Sequence, residues 1–246
     1  MSKRVHFLNT QVDNYSMEET VNLISESISK GNKLQHVVLN AGKIVALQTD
    51  QELRESVNNC DLINADGMSV VWASKILGKP LKERVTGIDL MENLIELAHK
   101  KKYKVYFLGA KEEVVLKVVN HYSEKFSKDL IAGYRNGYFS KEDEQEIARD
   151  IEASNAQLLF VAISSPKKEN FLYQNKEYLS KVSFTMGVGG SFDVVSGLVQ
   201  RAPLWMQKSG LEWFFRFAQE PKRMWKRYLV GNTKFLYLVL KERLKN

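Results

Sequence analysis

The stretch LLFVAISSPKKENFLYQ, residues 158–174, decides the class of fold to which the chain belongs. It opens on an uninterrupted apolar run, which is typical of a strand that helices cover on both faces of a sheet. Small polar residues and Pro166 follow, and proline is favoured in the first turn of a helix. The stretch therefore predicts a strand over Leu158–Ile163, then a turn, then a helix over Lys167–Leu179.

The same succession of strand, turn and helix recurs along the chain. Ser16 and Glu19 have the spacing of a capping box at the beginning of one predicted helix. The alternation predicts an α/β fold with a mostly parallel sheet flanked by helices. Further strands are expected at Val5–Leu8, His36–Leu39, Asp61–Asn64, Lys104–Leu108 and Ser183–Gly187. Helices are expected at Ser16–Ser29, Met68–Leu77, Ile88–Lys101, Glu112–Phe126 and Lys141–Ala153.

The composition excludes several classes of protein. Cys60 is the one cysteine among 246 residues, which excludes a disulfide framework and a cysteine-based zinc site and fits a reducing compartment. The four histidines lack the spacing of metal ligands. The N-terminal segment lacks the apolar core of a signal peptide, and no apolar run reaches the roughly 18 residues that span a bilayer. We therefore expect a soluble or peripheral protein.

The net charge of +7 is concentrated in the last fifth of the chain. Residues 196–246 hold 11 Lys and Arg against 3 Asp and Glu, whereas residues 1–195 hold 25 against 26. The basic segment also holds three of the four tryptophans, and its apolar residues fall at helical spacing. We expect a boundary near Ser196 between a core and a basic, aromatic helical appendage, whose second helix runs from Pro221 towards Leu244.

Three interpretations of this appendage are open at this point. Tryptophan and tyrosine beside lysine and arginine are typical of helices that lie in a membrane interface. Nucleic-acid binding is the rival, since aromatic side chains also stack on bases, but the chain has no RNP, KH, helix-turn-helix or zinc-finger motif. The third interpretation is a helical hairpin that packs on the core and exposes its charged face to water.

Polar residues and glycines follow five of the predicted strands. Ligands of open α/β sheets bind beyond the carboxyl ends of the strands, so these segments are candidates for a site. Asp66 comes directly after one strand, which makes it a candidate general base for a substrate hydroxyl. The alternative is that Asp66 caps the helix that follows, and position alone favours that interpretation.

Three further segments are candidates for binding phosphate. The backbone amides of Gly187-Val188-Gly189-Gly190 would approach a diphosphate, or the glycines would only make a tight turn. Lys167 and Lys168 stand at the start of a predicted helix, where a solvated helix end is the commoner explanation. Arg84 lies in a connecting segment, and most such arginines are surface residues.

Motifs that the chain lacks narrow the chemistry further. It contains no Asp-x-Asp pair, no Walker or dinucleotide glycine motif and no G-x-S-x-G elbow. A metal-chelating sugar-nucleotide enzyme and a serine hydrolase are therefore disfavoured. Charge on a leaving diphosphate would instead need arginines, lysines and backbone amides.

Together these segments resemble the motifs of one family, in its order and over nearly the whole chain. The motifs are Asn64-Ala65-Asp66-Gly67-Met68, Arg84-Val85-Thr86-Gly87, Phe107-Leu108-Gly109, Gly137-Tyr138-Phe139, Pro166-Lys167-Lys168-Glu169, Gly187-Val188-Gly189-Gly190-Ser191-Phe192-Asp193, Arg201-Ala202-Pro203-x-Trp205, Gly210-Leu211-Glu212-Trp213-x-x-Arg216 and Glu220-Pro221-x-Arg223. In them the chain is similar to the WecG/TagA/CpsF family of glycosyltransferases, which build bacterial surface polysaccharides.

The resemblance implies an inverting transfer of a sugar from a UDP-sugar to a polyprenyl-diphosphate-linked sugar at the cytoplasmic face of the membrane, without a metal or other cofactor. Family members typically add N-acetylmannosamine or a relative to undecaprenyl-diphosphate-GlcNAc. The implied fold is a Rossmann-like core whose C-terminal appendage contacts an anionic membrane surface and completes the site. A homodimer that orders the appendage is also implied, and nucleic acid is not an expected partner.

The resemblance also implies roles for individual residues. Asp66 corresponds to the general base, Asn40 to a polar residue of the crevice and Arg84 to a contact with the leaving diphosphate. Tyr138 and Asp193 are candidates for recognising uridine. The other implied substrate-binding positions are strand-end glycines, a lysine and tail arginines that reach the diphosphate or the lipid carrier's phosphates: Gly109, Gly189, Gly190, Lys168, Arg216, Arg223 and Arg227.

Two positions depart from the family pattern. Lys168 stands where glutamine is usual, and Val38 stands where threonine is often found. The crevice thereby loses a hydroxyl and gains a cation. We therefore expect a donor other than N-acetylmannosamine, such as a related hexose that carries an acidic group.

Overall fold

The computed structural model describes residues 4–219, 221–225 and 229–245, apart from the side chains of Arg223 and Met224. The strands in these ranges are β1 (Arg4–Phe7), β2 (Thr10–Asp13), β3 (Leu34–Leu39), β4 (Leu62–Ala65), β5 (Val105–Gly109), β6 (Ile131–Arg135), β7 (Leu158–Ala162) and β8 (Phe184–Gly187). Six of them form one sheet in the order β4-β3-β8-β7-β5-β6, and every neighbouring pair is parallel. The predicted α/β architecture of the Rossmann type is confirmed.

Helices cover both faces of this sheet. Their bounds are α1 (Met17–Ser29), α2 (Ala41–Ala46), α3 (Gln51–Asn58), α4 (Met68–Ile76), α5 (Gly87–Lys101), α6 (Glu112–Lys125), α7 (Glu144–Ala153), α8 (Lys167–Gln174), α9 (Ser191–Val195), α10 (Leu204–Lys208), α11 (Glu212–Gln219), α12 (Pro221–Trp225) and α13 (Gly231–Arg243), with a 3₁₀ turn at Lys128–Leu130.

Alternate residues of the central strands contact different helix layers, because successive side chains of a strand point to opposite faces. In β7, Leu158 and Phe160 pack in one apolar cluster with α1, α5 and α6. Leu159 and Val161 pack in another cluster with α7 and α8. All four side chains are fully buried, which explains the uninterrupted apolar run in the sequence.

The N-terminal strand lies outside the parallel sheet. It pairs antiparallel with β2, which the sequence does not predict, and Val5 stands opposite Val12. Leu8 and Asn9 make the turn with φ angles of 52° and 57°. Hairpin turns with positive φ usually contain glycine, and no glycine marks this turn in the sequence.

The edge strand β6 is the second strand that the sequence does not predict. Its residues are partly or fully exposed, so it lacks the apolar run of a central strand. Gly133 lies in it because a Cβ atom there would come within 2.6 Å of the Tyr106 ring. A strand that must keep a glycine against its neighbour carries little of the usual strand signal.

The predicted helices agree with the structure to within a few residues. The capping box of α1 is present: Ser16 Oγ accepts a hydrogen bond from the Glu19 amide, and the Glu19 carboxylate accepts one from the Ser16 amide. α8 ends at Gln174 rather than at the predicted Leu179, and α7 begins at Glu144 rather than at Lys141.

The appendage is helical in its described parts and contacts the core. Phe235 and Val239 of α13 are buried in the apolar cluster that also contains side chains of α2 and α4. Near the end of α13, the Glu242 carboxylate accepts a hydrogen bond from the Leu8 amide at 2.8 Å. Among the described residues no helix is both long and apolar enough to cross a bilayer. The domain boundary near Ser196 stays a prediction.

Candidate active site

A cavity of about 800 Å³ lies beyond the carboxyl ends of five strands of the sheet, where the sheet topology predicts a site. The segment that follows each of these strands contributes to the wall: Asn40 after β3, Asp66 after β4, Ala110 after β5, Ser164 after β7 and Val188 after β8. The appendage closes one side of the cavity through α11, which contributes Glu212 and Arg216. Residues of both the core and the appendage therefore line the cavity.

Most of the predicted site residues come together in this cavity. Those that line it are Asp66, Asn40, Tyr138, Lys168, Gly189, Gly190, Asp193 and Arg216. Arg84 lines an adjoining cavity instead. The side chain of Arg223 and the whole of Arg227 lie outside the described part of the chain, so their roles stay predictions.

Gly109 has a packing role that accounts for it without a ligand. Its φ is +133°, and a Cβ atom would lie 2.5 Å from the backbone of Ala162. The neighbouring Ala110, rather than Gly109, lines the cavity. Contact between Gly109 and substrate stays a prediction.

Asp66 does not cap the helix that follows it. The N-cap residue of α4 is Gly67, and no side chain accepts a hydrogen bond at that helix end. The Asp66 amide donates to the Leu39 carbonyl at 2.8 Å, which ties the residue to the end of the neighbouring strand. Its side chain is thus directed by the strand end and lies at the cavity wall.

The environment of Asp66 raises the pKa of its carboxyl group. Burial is the main cause, since it disfavours the charged form, and the negative charge of Glu212 adds to it. Arg216, Arg84 and the Gly87 amide act in the opposite direction without cancelling it. A carboxylate whose pKa is raised takes up a proton more readily, as a general base must.

Glu212 is a charged residue of the site to which the sequence assigns no role. Its Oε2 atom lies 3.2 Å from Nη1 of Arg84, and its Oε1 atom lies 3.4 Å from Nη2 of Arg216. The Arg84 guanidinium also donates to the Gln207 carbonyl at 3.4 Å. A carboxylate of the appendage therefore contacts both Arg84 and Arg216, whose charges act on Asp66.

Asn40 both caps a helix and lines the cavity. Its Oδ1 atom accepts a hydrogen bond from the Lys43 amide at 3.0 Å and so begins α2. This places a polar side chain at the carboxyl end of β3, close to the turn between β4 and α4. The sequence motif alone does not show this capping role, because α2 is too short to be predicted.

Three buried charged side chains form a cluster beside the cavity, and two of them, Lys43 and Lys168, line it. Glu169 Oε1 lies 2.7 Å from Nζ of Lys43 and 2.9 Å from Nζ of Lys168, and Lys43 also donates to the Val38 carbonyl at 2.7 Å. Burial would raise the pKa of Glu169, but the two ammonium groups outweigh it and lower this pKa to about 2. The Glu169 carboxylate is therefore held in its ionised form between the two lysines.

The glycine turn after β8 brings its backbone close to the side chain of Lys168. Gly189 has a φ of +54° and needs glycine for that reason, whereas Gly190 begins α9. A Cβ atom on Gly187 would lie 2.9 Å from Cδ of Lys168. The glycine therefore makes room for the lysine stem.

The two residues predicted to recognise uridine lie elsewhere on the wall. Tyr138 is 71% exposed, and its amide donates to Oδ1 of Asn136 at 3.0 Å. Asp193 lies in α9, just after the glycine turn. Both line the large cavity, and their contact with uridine stays a prediction.

A second cavity, of about 450 Å³ and largely apolar, adjoins the first. Asn40, Gly42, Asp66, Glu212 and Arg216 line both cavities. Its apolar wall comes from α4, α11 and α13 and consists of Met68, Trp72, Ile76, Trp213, Phe235 and Leu236. The first cavity has the more polar wall of the two and is called the polar cavity below, and Asp66 lies where it meets this apolar cavity.

The described residues contain no group of three or more His, Cys, Asp and Glu side chains that could hold a metal ion. Cys60 is buried, and its burial raises the pKa of the thiol to about 12.

Comparison with known proteins identifies the family of the chain. The model of the Glycosyl transferase WecG/TagA/CpsF family matches residues 5–246. The chain is 37% identical over 193 residues to the N-acetylglucosaminyldiphosphoundecaprenol N-acetyl-beta-D-mannosaminyltransferase of Bacillus subtilis, a match that covers 78% of this chain and 73% of that enzyme. It is 38% identical over 185 residues to the enzyme of the same name from Bacillus spizizenii, covering 75% and 70%. The chain is a glycosyltransferase and belongs to the WecG/TagA/CpsF family.

Proposed function

We propose that the chain transfers a hexose from a UDP-sugar to a polyprenyl-diphosphate-linked sugar, with inversion, in the synthesis of a cell-surface polysaccharide. The observation that carries this proposal is the position of Asp66 between the two cavities. The polar cavity suits a sugar nucleotide, and the apolar cavity suits the first part of a lipid carrier. The names of the two Bacillus relatives support an acceptor of this kind.

In the proposed mechanism Asp66 accepts the proton of the acceptor hydroxyl. The hydroxyl oxygen forms a bond with the anomeric carbon of the donor. On the opposite side, the bond between that carbon and the diphosphate oxygen breaks, and UDP leaves with the bonding electrons. Attack opposite to the leaving group inverts the configuration of the anomeric carbon.

We propose that protein groups rather than a metal ion stabilise the charge on UDP. Lys168 lines the cavity, as do the residues of the glycine turn, whose amides are further donors. Turnover is therefore expected to be unchanged by EDTA. A loss of activity in EDTA that Mg²⁺ restores would contradict this part of the proposal.

We further propose that the donor carries an acidic group. The support is Lys168, a buried cation that lines the cavity at a position where the family usually has glutamine. A cation in the wall of a cavity favours an anionic ligand. The Bacillus relatives are named for a neutral sugar, so this feature would distinguish the chain from them.

A screen for UDP release tests the function and the donor together. The protein is incubated with a panel of UDP-hexosamines and UDP-uronates and a polyprenyl-diphosphate-GlcNAc analogue. We expect release of UDP that depends on the acceptor and is fastest with a uronate donor. Clear preference for UDP-N-acetylmannosamine would contradict the acidic donor, and no release from any donor would contradict the proposed function.

We also propose that the protein acts at the cytoplasmic face of the membrane and associates peripherally with anionic lipid. Trp205, Trp213, Phe214 and Trp225 of the appendage are all at least 42% exposed, although they are large apolar side chains. Exposed tryptophans on a basic helical segment are typical of a membrane interface. A homodimer that orders the appendage remains part of the proposal.

A further inference from the structure

The stereochemistry of the proposed reaction restricts where the two diphosphates of the substrates lie. The donor's diphosphate leaves on the side of the anomeric carbon opposite to the attacking hydroxyl. The base that takes the proton must contact that hydroxyl, so the groups around the base lie on the acceptor's side. This inference rests on the proposed function and on Asp66 as the base.

Among the described residues, the cations whose charge acts on Asp66 are Arg84 and Arg216. Arg84 lines the apolar cavity but not the polar one, whereas Arg216 lies at the junction of both. A diphosphate that leaves from the far side of the donor would lie away from both guanidinium groups. The acceptor has its own diphosphate, one sugar ring away from its reacting hydroxyl.

We propose that Arg84 and Arg216 bind the diphosphate of the lipid-linked acceptor and that the Glu212 carboxylate holds this position until the acceptor arrives. The donor's diphosphate then lies on the side of the polar cavity that contains Lys168 and the glycine turn. This assignment differs from the family-based expectation, in which Arg84 contacts the leaving diphosphate.

The contacts of Glu212 support an exchange of this kind. Its distances of 3.2 Å to Arg84 and 3.4 Å to Arg216 are longer than the roughly 2.8 Å of strong charge-assisted hydrogen bonds. Each contact joins one nitrogen to one oxygen, although a guanidinium group favours a two-pronged pairing with an anion. The side chains of Arg84 and Glu212 are only 15% and 13% exposed. A diphosphate has more oxygens than one carboxylate and would satisfy both guanidinium groups better.

Two acceptors separate the two assignments of Arg84. One is a polyprenyl-diphosphate-GlcNAc analogue, and the other is an alkyl β-glycoside of GlcNAc, which has the same hydroxyl groups but no phosphate. Arg84→Ala and Arg216→Ala are each compared with wild type and with Arg135→Ala, which changes an exposed arginine at the end of β6. Calorimetry of UDP binding reports on the donor side and on folding.

We expect Arg84→Ala to raise KM for the diphosphate acceptor at least about tenfold. The Kd of UDP is expected to stay within about threefold of wild type, and kcat/KM is expected to fall at least about tenfold further with the diphosphate acceptor than with the alkyl glycoside. Weakening of UDP binding by about tenfold or more in Arg84→Ala would overturn the inference, as would an equal loss with both acceptors.

Glu212→Gln tests the exchange separately. If the carboxylate competes with the acceptor's diphosphate, its neutral analogue lowers KM for that acceptor relative to KM for the alkyl glycoside. If Glu212 only fixes the two arginines, the variant raises KM as Arg84→Ala does, and the exchange is wrong. A wild-type protein that releases UDP from no donor would instead overturn the proposed function on which the inference rests.

Discussion

Asp66 differs from an ordinary surface carboxylate in both its position and its pKa. It lies at the end of a buried strand, and its pKa is raised chiefly by burial. From the sequence, a helix cap was the more economical interpretation, because aspartate is common at that position. The structure removes the reason for that preference, since Gly67 occupies the cap position.

Replacing Asp66 by asparagine keeps its size and removes its ability to accept a proton. We expect Asp66→Asn to lower kcat by about 10² or more while leaving the Kd of UDP nearly unchanged. Steady-state kinetics and calorimetry with UDP measure the two quantities. Near-normal turnover in this variant would show that Asp66 is not the base.

His36 predicts a pH dependence of stability that is independent of catalysis. Burial lowers the pKa of its imidazole to about 4 in the folded chain, and its Nε2 atom lies 2.9 Å from Oδ1 of Asn64. In the unfolded chain the pKa of His36 is about 6.5, so between pH 6.5 and 4 its imidazole is protonated in the unfolded chain but mostly neutral in the folded one. Stability should therefore fall as pH falls from about 6.5 towards 4, by about 2 kcal/mol between pH 7 and pH 5.

Urea unfolding at pH 7 and pH 5 measures this difference. His36→Gln should remove most of the decrease, because glutamine does not titrate in this range. His121→Gln changes an exposed histidine and serves as the control. If wild type and His36→Gln lose the same stability between the two pH values, the buried imidazole is not responsible.

At the scale of the elements, the sequence predicts the central strands and the longer helices. Central strands have a continuous apolar run because both faces are covered, and α1 has its capping box. The strands that the sequence does not predict, β2 and β6, lack this apolar run. β6 keeps Gly133 for the Tyr106 ring, and β1 turns into β2 through Leu8 and Asn9 without a glycine.

Gly109 is the position where a single methyl group should disturb the sheet most. A Cβ atom would lie 2.5 Å from the Ala162 backbone, and the φ of +133° is strained for any other residue. Gly31→Ala is the matched control, because Gly31 also has a positive φ of +70° but open space around it. We expect Gly109→Ala to lose at least about 2 kcal/mol more stability than Gly31→Ala in urea unfolding. Equal losses in the two variants would show that the close approach of Gly109 to the Ala162 backbone does not matter for stability.

At the scale of the whole molecule, the sequence predicts the residues of the site better than their partners. Asp66, Asn40 and Lys168 follow strands, and strand ends converge at one edge of the sheet. Glu212 and Lys43 carry no such signal, because their roles depend on contacts with residues far away in the chain. Glu212 meets Arg84 across 128 positions, and no local pattern encodes that distance.

The exposed tryptophans of the appendage predict how the molecule meets a membrane. We expect the joint change Trp205→Ser and Trp225→Ser to lower binding to vesicles that contain phosphatidylglycerol several-fold, and added salt to lower it further. Co-sedimentation measures the bound fraction. Tyr134→Ser, which changes an exposed aromatic side chain on β6, is the control. Equal binding by all three proteins would place the membrane contact elsewhere.

The hydrogen bond between Leu8 and Glu242 joins positions 234 residues apart. During synthesis the first hairpin leaves the ribosome long before α13 exists, and the apolar cluster that receives Phe235 and Val239 stays open to water in that interval. The wall that α13 contributes to the apolar cavity is thus among the last parts to be assembled. We therefore expect a nascent or prematurely terminated chain to form its sheet before it forms this wall.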